Sequence, residues 1–369
     1  MNTVDRANER PLVDQLKEII LEQIRVGTLV PEQRVPSERE LCKIYGVSRT
    51  TARNALLDLE NRGIVTRATG SGTFVSGEAS PPAGSAGQTG TVGFLLCRHH
   101  FPVRSLREDF FYFEVMEGIQ DELKADGRHL LFHHLAGDRS EGLVIADLAG
   151  KVDGILLAEV QSERLIDSIL AADLPVILIN PSVDRLKFDL NSVSIDNRAG
   201  AYKAVRHLIE LGHRVIGCIQ GPMDSAPARE RYAGYSHALQ EAGLAVRDDC
   251  VEPAANWTIE EGESAARRLI ERAPEVTALF CANDTIAVGA LSGLAPFRRV
   301  PDEVSIVGFD DISIASHSTP PLTTVRSPIF ELGKAACRLL ASARSNKSLP
   351  TTTILFSPEL KVRASTKRL

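Results

Sequence analysis

Within the run GVSRTTARNALLDLENRG, residues 46 to 63, five side chains able to do recognition chemistry fall inside six positions: Ser48, Arg49, Thr50, Thr51 and Arg53. Short hydroxyls beside guanidinium forks donate and accept hydrogen bonds on base edges and neutralise phosphate. That chemistry suits a nucleic-acid groove better than the making or breaking of bonds. Arg49 and Arg53 stand four apart, so a helix puts both on one face, where one can pair with guanine edges while the other grips phosphate. Serine and threonine are poor helix formers, which makes their crowding at a helix start more than a folding requirement. A solvated charged helix face is the plainer alternative.

These side chains need a scaffold, and the flanking sequence spells one. Leu12, Val13, Leu16, Ile19, Ile20 and Ile24 recur at helical spacing and predict a helix over 11–26 that closes at Gly27. Ser37 followed three residues on by Glu40 is a capping box for a short helix over 37–44. Gly46 makes the turn, Ser48 caps the next helix, Ala52, Ala55, Leu56 and Leu59 form its buried stripe, and Gly63 ends it. Ile64 to Arg67 and Thr73 to Ser76 read as two strands joined by a tight turn over Thr69 to Gly72. Three helices and a hairpin make a winged helix-turn-helix.

Charge agrees with a local footprint. The chain of 369 residues has a formal net charge of -6, which argues against a protein that coats nucleic acid over its whole surface. Residues 1 to 77 hold eleven basic residues against ten acidic ones, net +1, and 39–67 holds six against three. Positive charge is therefore concentrated around the candidate helix.

The segment PSERELCKIYGVSRTTARNALLDLENRGIVTRATGSGTFV resembles the DNA-binding domain of the GntR family of bacterial regulators, over nearly all of residues 11 to 76. The resemblance implies that Arg39, Ser48, Arg49, Thr50, Thr51, Arg53 and, in the wing, Thr69 and Gly70 contact DNA.

Beyond this module, residues 78–90, EASPPAGSAGQTG, hold no large apolar side chain and read as a flexible linker. From 91 to 369 the pattern changes to apolar strand runs (92–97, 129–135, 153–158, 176–180, 215–221, 278–284 and 304–310) separated by amphipathic helices. Such alternation predicts doubly wound parallel sheets with helices on both faces, and its length predicts two lobes. The fold class expected is thus α/β and multidomain.

Neither catalysis nor a cofactor is written in this part. A phosphate loop, a dinucleotide fingerprint, a nucleophile elbow and the H-E-x-x-H zinc motif are all missing, so no catalytic residue and no cofactor are expected. His129 and His133 fall in a strand-like run where a spacing of four makes no metal face. The six cysteines lie far apart without ligand spacing and read as small buried hydrophobes, so no metal is expected either. The first twenty residues carry Asp5, Glu9, Asp14 and Glu18 in place of an apolar leader, and no run is long enough to span a bilayer, which points to the cytoplasm and away from a membrane.

Polar residues do collect at predicted strand ends, where open α/β sheets bind ligands: Asn180, then Asn283 and Asp284, then Asp310 and Asp311. The blocks GHRVIGCIQGP, ARERYAGYSHAL, LFCANDTIAVGAL, VPDEVSIVGFDDI, PPLTTVRSP and LKVRAST resemble, in order across 91 to 366, the effector domain of the LacI/GalR regulators, itself similar to periplasmic sugar-binding proteins. The resemblance implies two lobes joined by three crossovers, with a ligand between them touching Phe111, Tyr112, Asn180, Arg229, Trp257, Asn283 and Asp310. Those groups suit a sugar: an aromatic face for C–H groups, and fixed donors and acceptors for hydroxyls. A core position for Trp257 stays open. The fused architecture is similar to that of the arabinose-responsive repressors. It implies a homodimeric repressor of carbohydrate-use genes that binds a pseudo-palindromic double-stranded DNA operator under the control of a small-molecule effector. A purine or other metabolite in place of the sugar, or a solute-binding protein, are the alternative readings.

Overall fold

A computed structural model describes residues 11–25, 28–30, 32–61, 64–68, 72–75, 89–97, 109–135, 144–145, 148, 150–160, 162–181, 190–345 and 350–369. The chain divides into two compact units, Met1–Gly87 and Gln88–Leu369.

The smaller unit contains α1 (Leu12–Arg25), β1 (Arg34–Val35), α2 (Glu38–Tyr45), α3 (Arg49–Asn61), β2 (Val65–Ala68) and β3 (Gly72–Val75). Leu16 and Ile20 of α1 meet Leu41 of α2 and Ala52, Ala55, Leu56 and Leu59 of α3 in one buried cluster, closed by Val65 and Val75 from the hairpin. The capping box forms in full: the Glu40 backbone N–H donates to Ser37 Oγ and the Ser37 N–H donates to Glu40 Oε2 at 2.7 Å. Gly46 then takes the left-handed conformation, φ 65°, in which glycine meets no Cβ penalty, and turns the chain into α3. The hairpin strands lie about one residue away from their expected limits. β1 adds a third, antiparallel strand in the order β1-β3-β2, too short to announce itself by alternation. Gly27, Gly63, Thr69, Gly70, Ser76 and nearly all of 78–90 lie outside the described residues.

The larger unit is built from two six-stranded sheets. Its elements run β4 (Thr91–Cys97), α4 (Phe110–Ala125), β5 (His129–Leu135), β6 (Ile155–Ala158), α5 (Glu163–Ala171), β7 (Val176–Ile179), β8 (Ser192–Ile195), α6 (Asn197–Glu210), β9 (Ile216–Gln220), α7 (Ala226–Glu241), β10 (Val251–Pro253), α8 (Ile259–Arg272), β11 (Ala278–Cys281), α9 (Asp284–Leu294), β12 (Ser305–Asp310), α10 (Ser313–His317), β13 (Thr323–Arg326), α11 (Ile329–Ser345), β14 (Thr353–Phe356) and β15 (Glu359–Lys361). The first sheet has the order β14-β8-β7-β6-β4-β5 and is parallel throughout; the second runs β10-β9-β11-β12-β13-β15, with β15 antiparallel at one edge. Central strands such as β6, β7 and β11 are buried along their whole length, as continuous apolar runs between two helical layers must be.

The chain passes between the lobes three times: from β8 into α6 at Ile195–Asn197, from β13 into α11 at Arg326–Ile329, and from β14 into β15 at Phe356–Glu359. Helix α11 returns to the first lobe and packs on α4. Its Gly333 faces Val115 O and Ile119 N so closely that a Cβ there would sit 2.3 Å from the Val115 carbonyl. Close backbone approach, which only glycine permits, locks the returning helix down.

Candidate functional site

Between the two lobes of the larger unit lies a cleft with about 640 Å³ of atom-free space, including its open mouth, within the range of small-molecule sites. Apart from Arg231, the residues of its wall sit near the carboxyl ends of strands or the starts of the helices that follow. Residues 109–112 open α4, Glu159 follows β6, and Asn180 follows β7; across from them stand Ser225 and Pro227 at the start of α7, Arg231 within it, Trp257 and Thr258 before α8, Asn283 and Thr285 at α9, and Asp310 and Ile312 after β12.

Six of the seven expected contact positions are brought together here: Phe111, Tyr112, Asn180, Trp257, Asn283 and Asp310. The Phe111 and Tyr112 rings meet edge to face at 5.1 Å, and the Tyr112 hydroxyl donates to Glu159 Oε1 at 3.3 Å. Trp257 is half-buried and packs against Gly221, where a Cβ would come within 2.3 Å of the indole; the residue both packs on the core and lines the cleft. Asn283 Oδ1 accepts the Ile286 N–H at 2.8 Å as the cap of α9.

Arg229 is the exception. Its guanidinium donates to the carbonyls of Met223 and Asp224 at 2.9 and 2.8 Å, and it does not line the cleft. The arginine in the wall is Arg231, two residues on and therefore about 200° around the helix. The sequence carries the clue: Ala228, Tyr235 and Ala238 mark the buried face of α7, and Arg231 falls on that face.

Arg231 is 4% exposed and makes the densest set of contacts in the cleft. Its Nε donates to Asn197 Oδ1 at 2.9 Å, Nη1 to the Ala282 carbonyl at 2.6 Å, and Nη2 to Asp310 Oδ1 at 2.8 Å, with a further bond from Nη1 to Asp310 Oδ2 at 3.2 Å. The guanidinium stacks on the Phe309 ring at 3.8 Å. Burial pushes the Asp310 carboxyl above its ordinary range, and the facing Arg231 charge pulls it back only in part. Behind it Asp284, wholly buried and pushed up strongly by desolvation, accepts from the Thr324 hydroxyl and the Ile312 N–H.

Ser225 is a second residue that sequence reading missed. It stands at the N-cap of α7 but its side chain makes no capping bond, and its buried Oγ has no hydrogen-bond partner in the structure. A buried, unpartnered hydroxyl in a cleft wall is the kind of group a polar ligand satisfies.

In the smaller unit, Arg39, Ser48, Arg49, Thr50 and Arg53 are exposed, and Thr51 is half-exposed. Ser48 and Thr51 serve the fold as well: the Thr51 N–H donates to Ser48 Oγ at 3.0 Å, and the two hydroxyls lie 2.7 Å apart. Arg49 reaches back to Glu38 of α2, Nε to Oε2 at 3.4 Å, while 85% of its side chain remains open to water. Arg67 of β2 approaches the same carboxylate at 3.7 Å. Thr69 and Gly70 fall outside the described residues.

No group of three or more metal-ligating side chains occurs among the described residues, and no helix there is long and apolar enough to cross a membrane. All six cysteines are free; five are buried and Cys42 is half-buried.

Known proteins resemble the two units separately and the chain as a whole. Residues 12–75 match the model of the bacterial regulatory proteins of the gntR family, and residues 205–366 match that of a periplasmic binding protein-like domain. The HTH-type transcriptional repressor CytR of Escherichia coli (strain K12) is 32% identical over 272 residues, 71% of this chain and 77% of CytR. The HTH-type transcriptional regulator CelR of Thermobifida fusca is 35% identical over 221 residues, which span 59% of this chain and 65% of that protein. A solved complex of the regulator CelR with cellobiose superposes with a TM-score of 0.70 at 27% identity, covering 90% of this chain and all of that one; the regulator CcpA of Lactococcus lactis gives 0.66 at 27%, covering 75% and 99%. A winged helix carrying exposed arginines, a two-lobed domain with a ligand-sized cleft and these relatives together make the chain a DNA-binding transcriptional regulator that belongs to the LacI family, with a GntR-type head.

Proposed function

We propose that this regulator is a homodimeric, cytoplasmic repressor of carbohydrate-use genes, and that a small sugar held in the cleft controls its grip on a pseudo-palindromic operator. The observation that carries the reading is the chemistry of the cleft wall. Phe111 and Trp257 offer flat apolar surface for the C–H faces of a pyranose, while Asn180, Ser225, Arg231, Asn283 and Asp310 supply donors and acceptors for its hydroxyls. A relative solved with cellobiose supports the same class of ligand. In the head, Arg49, Thr50 and Arg53 reach base edges and phosphates from the first turns of α3, and Arg39 holds the backbone. Two heads, one from each protomer, read the two half-sites.

The chain has a single tryptophan, and it lines the cleft, so its fluorescence reports occupancy directly. Titration with pentoses, hexoses and disaccharides including cellobiose, with nucleobases as the contrast, identifies the ligand class. Binding to a duplex selected from a random pool is then measured with and without the ligand found. A sugar that changes both signals is the expected result. A nucleobase that does so while every sugar leaves Trp257 unmoved would replace the sugar reading.

A further inference from the structure

Five buried polar side chains of the larger unit lie on one hydrogen-bonded path that runs from one wall of the cleft to the other through the crossovers. Asn180, at the end of β7 in the first lobe, accepts the Ile195 N–H on its Oδ1 at 3.1 Å. On the other side of the same residue, the Ile195 carbonyl accepts from Asn197 Nδ2 at 3.2 Å. Ile195 is the last residue of β8, where the chain leaves the first lobe, and Asn197 is the first residue of α6 in the second. Asn197 Oδ1 then accepts from Arg231 Nε, Arg231 holds Asp310, and Asp310 receives both the Ser327 hydroxyl at 3.4 Å and, on its carbonyl, the Ser327 N–H at 3.3 Å. Ser327 belongs to the second crossover.

Asn180, Asn197, Arg231, Asp310 and Ser327 are each 7% exposed or less, so water does not compete for these bonds. Two members of the path also have positive φ. Asn180 has φ 48° and Asp310 φ 105°, conformations that L-residues avoid unless their surroundings hold them. Both strained residues line the cleft, and Asn197 is the link at the interlobe passage, because its amide donates to one lobe with Nδ2 and accepts from the other with Oδ1. Glu230 Oε2 takes the second Nδ2 hydrogen at 2.9 Å, which fixes the orientation of the amide.

We infer that Asn197 is a positioning residue that couples the two cleft walls, so that a ligand engaging Arg231 and Asp310 on one side sets the angle of the crossover and the position of Asn180 on the other. The effector half of this inference rests on the function proposed above; the mechanical half does not. Asn197→Asp combined with Glu230→Gln separates the two. The new carboxylate can still accept from Arg231 and from the glutamine amide, the charge passes from position 230 to position 197, and the donor to the Ile195 carbonyl is replaced by an oxygen that repels it.

Hydrogen exchange on the ligand-free full chain, read by mass spectrometry, tests the coupling. The double variant is expected to speed exchange about tenfold at 192–197 and also at 176–181 and 323–327, segments on either side of the link that carry no substitution. Faster exchange confined to 195–198, with 176–181 and 323–327 at wild-type rates, would overturn the inference. Ser327→Ala, a milder change at the far end, is expected to loosen 192–197 in the same experiment, and its failure to do so counts equally against the coupling. Wild-type titration with the pentoses, hexoses and disaccharides named above, followed through Trp257, runs as a separate arm: flat curves for all of them speak against the sugar reading and leave the exchange comparison standing.

Discussion

Two arginines mark the two working regions of this molecule, and they are held in opposite ways. Arg49 opens the recognition helix with 85% of its side chain in water and one carboxylate contact at 3.4 Å. Arg231 is 4% exposed, uses three of its nitrogens as donors to four acceptors and stacks on a phenylalanine. The difference follows from what each must meet. On the function proposed above, Arg49 must adapt to a long, charged partner, and a hydrated, loosely tethered guanidinium suits that task. A cleft that recognises a small ligand needs its groups fixed before the ligand arrives, since ordering them afterwards costs affinity.

The largest expected effect breaks the rigid end of this comparison. Arg231→Ala leaves Asp310 buried opposite nothing, and removing one partner of such a pair costs about 3–5 kcal/mol of folding stability. The loss depends on pH. Asp310 already holds its proton more tightly in the folded chain than in the unfolded one, because burial raises its pKa, so its contribution to stability falls as pH rises through the window above the unfolded carboxylate value. Without the guanidinium that window extends to higher pH. Urea denaturation is expected to show a smaller gap between variant and wild type at pH 5 than at pH 7.5; a gap of the same size at both would mean that Asp310 stays ionised without its partner.

At the exposed end, Arg49→Ala is expected to weaken binding to a selected operator by about 1–3 kcal/mol at fixed salt if the side chain reads a base. Its folding stability should move by no more than about 0.5 kcal/mol, the usual range for surface changes. Gel-shift titration and thermal melting on the same preparation check both. Wild-type operator affinity would remove Arg49 from the reading surface.

The same contrast explains how far the sequence could be read. Exposed arginines and hydroxyls stand out when folding explains only some of them, and the run from Ser48 to Arg53 was visible for that reason, since the cap between Ser48 and Thr51 leaves Arg49, Thr50 and Arg53 unaccounted for. Strands such as ILLA in β6 and VILI in β7 stood out because they are apolar throughout. Among those that were not seen, SVSI in β8 and TTVR in β13 are half polar, with Ser192 and Thr324 bonded to Thr353 and Asp284, while β1, β10 and β15 are only two or three residues long. Arg231 was hidden by a neighbour of the same type: with Arg229 two positions away, only the helical phase of Ala228 and Tyr235 distinguishes the buried guanidinium from the outer one. Ser225 and Asn197 gave still less signal, since a serine or asparagine before a helix is ordinarily its cap. Their importance comes from contacts to residues far away in the chain.

Ser225 gives a smaller and more specific test of a prepared cleft. Its hydroxyl is buried without a partner, so Ser225→Ala is expected to leave folding stability unchanged or slightly improved while weakening the bound sugar by about 0.5–1.5 kcal/mol, the value of one neutral hydrogen bond. Trp257 fluorescence titration and denaturant unfolding measure the two quantities. Unchanged sugar affinity would place the hydroxyl outside the bound ligand's reach.

The smallest effect is expected at Glu38, and it shows how loose the tether on Arg49 is. Glu38 lies within 3.4 Å of Arg49 and 3.7 Å of Arg67, so in free protein it partly neutralises two groups that DNA phosphate would otherwise attract. Exposed pairs of this kind are weak, so Glu38→Gln should tighten binding to random-sequence duplex by less than about fivefold at low ionic strength. The gain should shrink as salt screens both the carboxylate and the phosphates. Operator affinity should rise less than random-sequence affinity, because the carboxylate also limits where the Arg49 fork can point before contact. The two affinities, measured across a salt series, decide the matter: parallel increases on both duplexes would make Glu38 a charge and nothing more, whereas a falling ratio would give it a part in choosing the site.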